Sequence, residues 1–343
     1  MMKGTHSDFG SLTSGEKVMA YTLTNTAGTS ITILSYGATW QSYRAFGQER
    51  LIQFNDLAHY LNNPFHLGNT IGRVGGRLSQ TDYELTVNQP FHLTANEGNH
   101  VLHSGVNGFD QVNWSAKLIE TSSAASVVFT HTFSDEFPGE LEAEVKYTLD
   151  EDDDVSIKFT GESTATTLFN PMTHVYFNLD GAGTNVLTHQ LKMASDLHVV
   201  VDDQKIPTGE LQKNIGTPFD FSTFKAIGTD IDHLKSAQYD DAFVVAPTLD
   251  ADQLQLRNAA GTLELAVHSD RNGLVLFTVN PDALYHTPEW EKTAPVTALA
   301  IEAQTLPDAI SQPDFGDIVL PAKVRKTYTV KYKIKEVNKH DKI

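Results

Sequence analysis

One pattern governs what this chain can become. Short segments rich in β-branched and aromatic residues recur along it, "VMAYTLTN", "SITILSYG", "YELTV", "WSAKLIE", "ASVVFTHTF", "EAEVKYTL" and "VSIKFTG", each bounded by Gly, Asn, Asp or Pro. Many alternate apolar and polar residues with a period of two, the repeat that turns one face of a strand to a core and the other away from it. Helical spacing is confined to "DLAHYLNN" and "DIDHLKSA". The pattern predicts an all-β chain. Because the segments keep their character from end to end, it predicts one large antiparallel β-sandwich over residues 1–343, with two packed β subdomains as the alternative. At 343 residues and 40% hydrophobic content there is enough chain for such a core.

Charge and cysteine content narrow the chemistry. Lys and Arg number 25 against 43 Asp and Glu, a formal charge of -18, a field that repels phosphate backbones and anionic lipid heads. Nucleic acid and membranes are therefore not expected as partners, whereas a neutral polyol meets no such barrier. The absence of cysteine removes disulfides, thiolate metal sites and cysteine nucleophiles. With no signal-like or membrane-spanning apolar run, the expectation is a cytoplasmic protein, monomer or homodimer.

Several local motifs carry a bland reading beside a sharper one. The acidic run "LDEDDDVSI" lacks the glycine and closing glutamate of a calcium loop and falls where a hairpin turn belongs. "GRVGGRL" has neither the Lys-Ser/Thr nor the βαβ setting of a phosphate loop. His100 and His103 are spaced to share a metal, but the other usual ligands are missing nearby, so no metal is expected. Glu302 follows the apolar stretch "VTALAI"; as a carboxylate at the end of a buried strand it is either a base with a raised pKa or a strand reaching water. His174 sits between Thr173 and Val175 in "NPMTHVYFNLDG", either a satisfied structural histidine or a proton donor.

Taken together the motifs form a pattern. "SYGATW", "GRVGGRL", "VLHSGVNGFDQVNW", "NPMTHVYFNLDG", "IPTGEL" with "TPFDF", "YDDAF" and "IEAQTLPDAISQP" occur in order over nearly the whole chain, and on them the chain resembles the aldose 1-epimerase family, the galactose mutarotases. The resemblance implies a β-sandwich with an open groove on one sheet, a small sugar as substrate and no cofactor. It places Glu302 as general base, His174 as general acid and His103 as a second active-site histidine that also binds sugar. Arg77 and Asp240 match substrate-binding positions; Tyr176 and Phe177 are weaker candidates for shaping the groove, Tyr176 counted with the substrate-binding residues. Two departures bear on which hydroxyls are recognised: Gly76 stands where many relatives have Asn, and Leu276 where some have Gln.

The implied reaction exchanges α and β anomers of a reducing sugar. The anomeric hydroxyl loses a proton while the ring oxygen gains one, which calls for two groups of opposite protonation state. An ionised Glu302 and a His174 kept charged by nearby carboxylates are expected, facing each other across one pocket at the distance of a single pyranose. Arg77 is expected to present a donor fork and Asp240 an acceptor to the sugar. The alternatives are a mutarotase of a disaccharide such as maltose, a sugar-phosphate enzyme (which would need a basic cluster), and a non-catalytic sugar-binding module.

Overall fold

Alternation becomes architecture in the computed structural model, which describes residues 2–181, 183–234, 237–278 and 296–337. Nearly every apolar-polar segment pairs antiparallel with a neighbour. The largest sheet has nine strands in the order Ser115–Glu120, Ala124–Phe133, Leu141–Asp150, Asp154–Ser163, Lys326–Glu336, Leu263–Ser269, Leu254–Arg257, Gln190–Met193 and Lys225–Ala226. A six-stranded sheet runs Tyr176–Phe177, Leu299–Gln304, Gly273–Thr278, Asp240–Val244, Leu197–Val201 and Pro207–Lys213, and a five-stranded sheet is built from residues 3–49. Ile157, Phe159 and Tyr332 of the large sheet share one buried cluster with Phe243, Leu274 and Ile301 of the six-stranded sheet and with Ile31, Ile33 and Trp40 of the first. Each such side chain contributes roughly 1.5–3 kcal/mol by leaving water. The result is the all-β antiparallel sandwich that the period-two pattern predicts.

The punctuation also falls as expected. Residues 151–153 turn between the paired strands Leu141–Asp150 and Asp154–Ser163, and the Asp150 carboxylate accepts from the amides of Asp152 and Asp154, both at 2.9 Å. That acidic run is a turn capped by its own carboxylate. "DLAHYLNN" yields a short helix, Leu57–Leu61, with the Asp56 side chain accepting from His59 N at its start. In "DIDHLKSA" a 3₁₀ turn covers Ile231–His233; Lys235 and Ser236 of that motif lie outside the described residues. Among the described residues no helix is long and apolar enough to cross a membrane.

Candidate active site

The site grows from one strand with two buried faces. Along Leu299–Gln304 all six residues are buried. Leu299, Ile301 and Ala303 enter the main core, so by the pleat Ala300, Glu302 and Gln304 face the other way. Val275 stands opposite Glu302 on the next strand, Ala242 opposite Val275 on the one after, and Asp240 opposite Phe277. Apart from Ala300, which packs in a second apolar cluster, these outward residues floor a half-open cavity of about 170 Å³, walled by Arg77, His103, His174, Tyr176, Lys205 and His66. That is below the roughly 300–1,000 Å³ of drug-sized clefts and suits a single sugar ring with more room toward solvent. Glu302 lies inside its strand, not at an end where the strand reaches water.

His174 occupies the gap between two short extended pieces, Met172–Thr173 and Tyr176–Phe177. Its amide donates to Asn69 O (2.8 Å) and its carbonyl accepts from Gly68 N (2.9 Å), so the backbone is fixed from both sides without being mid-strand. Alternation sends Val175 and Phe177 into the core and His174 and Tyr176 to the cavity. The imidazole stacks on Tyr176, centroids 5.0 Å apart at 21°, and the Tyr176 hydroxyl donates to Phe65 O (2.8 Å). His174 Nε2 stands 3.3 Å from Glu302 Oε1. The pair is thus in direct contact, closer than a pyranose width.

Burial sets the charges of this pair. It pushes the Glu302 carboxyl up to about 8, with Asp240 adding to the rise and Arg77 opposing it. It pulls His174 down to about 3, with His66 acting in the same direction. The expectation that carboxylates hold His174 charged is therefore corrected: desolvation outweighs its one contacting carboxylate, which is itself protonated below about pH 8. Between those two values the pair holds a single proton.

The other residues are tied down by neighbours that sequence reasoning missed. His103 Nδ1 accepts from Gly76 N (3.1 Å), which leaves Nε2–H as a donor and the ring neutral; burial drives its pKa well down. Arg77 gives Nε and Nη2 to Glu97 (2.7 and 3.0 Å), and His100 joins the same carboxylate at 2.8 Å. The fork expected for sugar is thus mostly engaged, and Nη1 remains, 4.0 Å from Asp240 Oδ2. Lys205 Nζ lies 3.8 Å from that same oxygen, so Asp240 sits between two cations. Gln304 is fully buried beside the cavity, and neither amide atom has a hydrogen-bond partner among the described residues. The "GG" of "GRVGGRL" is what lets the backbone pass beneath it: a Cβ on Gly75 would lie 2.6 Å from Gln304 Oε1.

Glu302, His174, His103, Arg77, Asp240 and Tyr176 all line the one cavity. Two expectations do not survive. Phe177 packs in the core against Trp40 and Tyr332, because it is odd in the alternation that puts Tyr176 on the cavity. Leu276 is likewise a core residue; the residues of its strand that reach the cavity are Val275 and Phe277, so Leu276 contacts no sugar hydroxyl. The pleat could have exposed Gln304 and Phe277 in advance, but nothing local marks Glu97, Lys205 or His66.

A sandwich with a small cavity on the outer face of one sheet, holding a carboxyl and an imidazole in contact, is a setting in which protons can be moved on a small polar molecule. The family model described as aldose 1-epimerase matches residues 19–333. Maltose epimerase of Levilactobacillus brevis is 41% identical over 329 residues, 92% of this chain and 95% of that protein. Aldose 1-epimerase of Haemophilus influenzae is 30% identical, covering 88% and 90% respectively. The crystal structure of galactose 1-epimerase from Lactobacillus acidophilus superposes with a TM-score of 0.87 at 25% identity, covering 98% of this chain and 100% of the other. The chain belongs to the aldose 1-epimerase family and is an isomerase that interconverts the anomers of aldoses.

Proposed function

We propose that Glu302 and His174 carry the proton transfers of anomer exchange, and the observation that supports this above all is their 3.3 Å contact on the cavity floor. Both reacting oxygens, the anomeric hydroxyl oxygen and the ring oxygen, are bonded to C1, so the groups serving them have to stand side by side. Glu302 as carboxylate takes the anomeric proton while His174 as imidazolium gives one to the ring oxygen. The C1–O5 bond breaks, the electron pair of O1–H becomes the carbonyl, and an open aldehyde forms. Glu302 is now protonated and His174 neutral, the uncharged arrangement that burial favours. Rotation about C1–C2 and reversal of both transfers close the ring to the other anomer. A proton hop across the contact interconverts the two arrangements, so either partner can begin a turnover. Each role contributes typically 10²- to 10⁴-fold.

His103 Nε2–H donates to a sugar oxygen near C1. Arg77 Nη1 and Asp240 hold the ring while C1 turns, and Tyr176 supports the His174 ring. Only protons move, so the chemistry asks for no cofactor or metal. We place the reaction in the cytoplasm, in keeping with a cysteine-free acidic chain.

A second reading concerns the sugar. A hollow of about 240 Å³ lined by Phe219, Gln238 and Asp241 shares Val201 and Lys205 with the cavity, and a relative of high identity is named maltose epimerase. Both support a disaccharide whose reducing ring enters the cavity and whose second ring rests beyond Lys205. Polarimetry on freshly dissolved α-glucose, α-galactose and maltose tests both readings. Acceleration of all three supports a general aldose mutarotase, a clear preference for maltose supports the second, and binding without acceleration removes the catalytic assignment.

A further inference from the structure

Two segments with no part in the proton transfers meet at the cavity wall. His66 ends the turn 63–66 with a left-handed backbone, φ 51°, its amide donating to Asn63 O at 3.0 Å. Asp110 belongs to the 3₁₀ turn Phe109–Gln111. His66 Nδ1 lies 3.0 Å from Asp110 Oδ2, with the carboxylate side chain 7% exposed. The His66 ring packs edge-on to His103 at 4.9 Å and lies nearly parallel to His174 at 6.2 Å and 29°. Three imidazoles, from three separate parts of the chain, thus crowd one wall of the cavity.

The three rings differ in what surrounds them. His103 and His174 are within 6–8% of full burial, whereas the His66 side chain is 22% exposed and has a carboxylate on one nitrogen. A positive charge on this ring faces a carboxylate at 3.0 Å and reaches water, whereas a charge on either of the other two would be enclosed. With Nδ1–H on Asp110, Nε2 is the nitrogen left for the cavity side. His174 Nδ1 has no hydrogen-bond partner among the described residues and its Nε2 faces Glu302, so His66 and His174 interact through charge.

We propose that His66, held by Asp110, is a positioning residue for the reaction: its imidazolium beside His174 prevents a second proton from entering the His174–Glu302 couple, and so sets the acid edge of the working pH range. The proposal rests on the assignment of Glu302 and His174 as the proton couple. The charge of His66 is also felt at His174 and at His103 in the direction the geometry requires. The charged and titratable groups around His66 are Asp110 on its Nδ1, His103 and His174 beside its ring, Arg77, Lys205, Asp240 and Glu302 across the cavity, and Tyr36 and Tyr60 in the hollow behind it.

The test is the pH dependence of kcat/KM by polarimetry on intact wild type, His66→Gln and Asp110→Asn, with folding followed by circular dichroism. Removing the cation lets His174 accept a proton sooner, so the acid limb of His66→Gln is expected to move up by about one pH unit. Asp110→Asn keeps the imidazole in place and removes only the anion beside it. Its acid limb is expected to stay or move down. A structural clip would make the two variants behave alike, and that result, or an unmoved limb in folded His66→Gln, overturns the proposal. Should His66→Gln not fold, NMR of ring-labelled histidine in wild type at pH 5 decides: His66 protonated while His174 is neutral supports it, a neutral His66 overturns it. Glu302→Gln run in parallel separates the two layers, since full activity there removes the proton couple itself, whereas its inactivity leaves the limb positions to judge His66 alone.

Discussion

The two faces of the strand Leu299–Gln304 are equally hidden from water, yet they do opposite things. Leu299 and Ile301 are 0% exposed in the core, Glu302 and Gln304 3% and 0% exposed on the cavity side. The inner face gains stability from burial. The outer face buries a carboxyl whose pKa rises to about 8 and an amide without partners among the described residues, both of which cost stability. Burial as such therefore does not distinguish core from site; the polarity of what is buried does.

Neutralising the outer face has the largest expected effect. Glu302→Gln and His174→Asn are expected to fold and to lose about 10²- to 10⁴-fold in kcat each, read by polarimetry. A folded variant within tenfold of wild type would remove that residue from the chemistry. On the inner face, Ile301→Ala is expected to lose about 2–5 kcal/mol of stability in urea unfolding, with KM nearly unchanged. If it instead altered KM tenfold without destabilising the fold, the division between the faces would fail.

Stability against pH sharpens the contrast further. Glu302 binds its proton more tightly folded, about 8, than at its ordinary 4.5, so its ionisation adds no cost below 4.5 and an increasing one as pH rises to about 8. His174 binds its proton less tightly folded, about 3 against 6.5, so its contribution is lost as pH falls through that interval. The two slopes oppose each other between 4.5 and 6.5, the window where the pair weighs least on stability. Glu302→Gln is accordingly expected to be more stable than wild type at pH 8.5, by on the order of a few kcal/mol, and to lose that advantage near pH 5. Thermal unfolding at both pH values checks this; equal stabilities at pH 8.5 would mean that the carboxyl is not held protonated by burial.

A smaller effect is expected at Arg77. Arg77→Lys abandons the paired contact with Glu97 and is expected to raise KM several-fold, about 1 kcal/mol, with kcat little changed. A fall in kcat alone would point to a direct part in proton transfer.

The fold was legible because strand periodicity is local: "EAEVKYTL", the acidic turn and "VSIKFTG" announce their hairpin without help from the rest of the chain. Glu302, His174, His103, Arg77 and Asp240 could be picked out because their motifs are long and ordered. Their mutual geometry could not. The engagement of Arg77 by Glu97, the pairing of His66 with Asp110 across 44 positions, and the depressed pKa of His174 all depend on which segments meet and how much water they exclude. The placing of Leu276 failed for a related reason: one residue of register separates the core from the cavity, and a motif alone does not say which side is which.

One proton shared by two buried groups in contact is the core of the proposed mechanism, and the pH profile of wild-type kcat/KM, corrected for spontaneous mutarotation, tests it most directly. The expected profile is level through neutral pH and falls above about 8 as Glu302 gives up the shared proton. A profile that keeps climbing past pH 9, or one whose governing inflection lies at the ordinary 4.5 of a solvated glutamate, would contradict it.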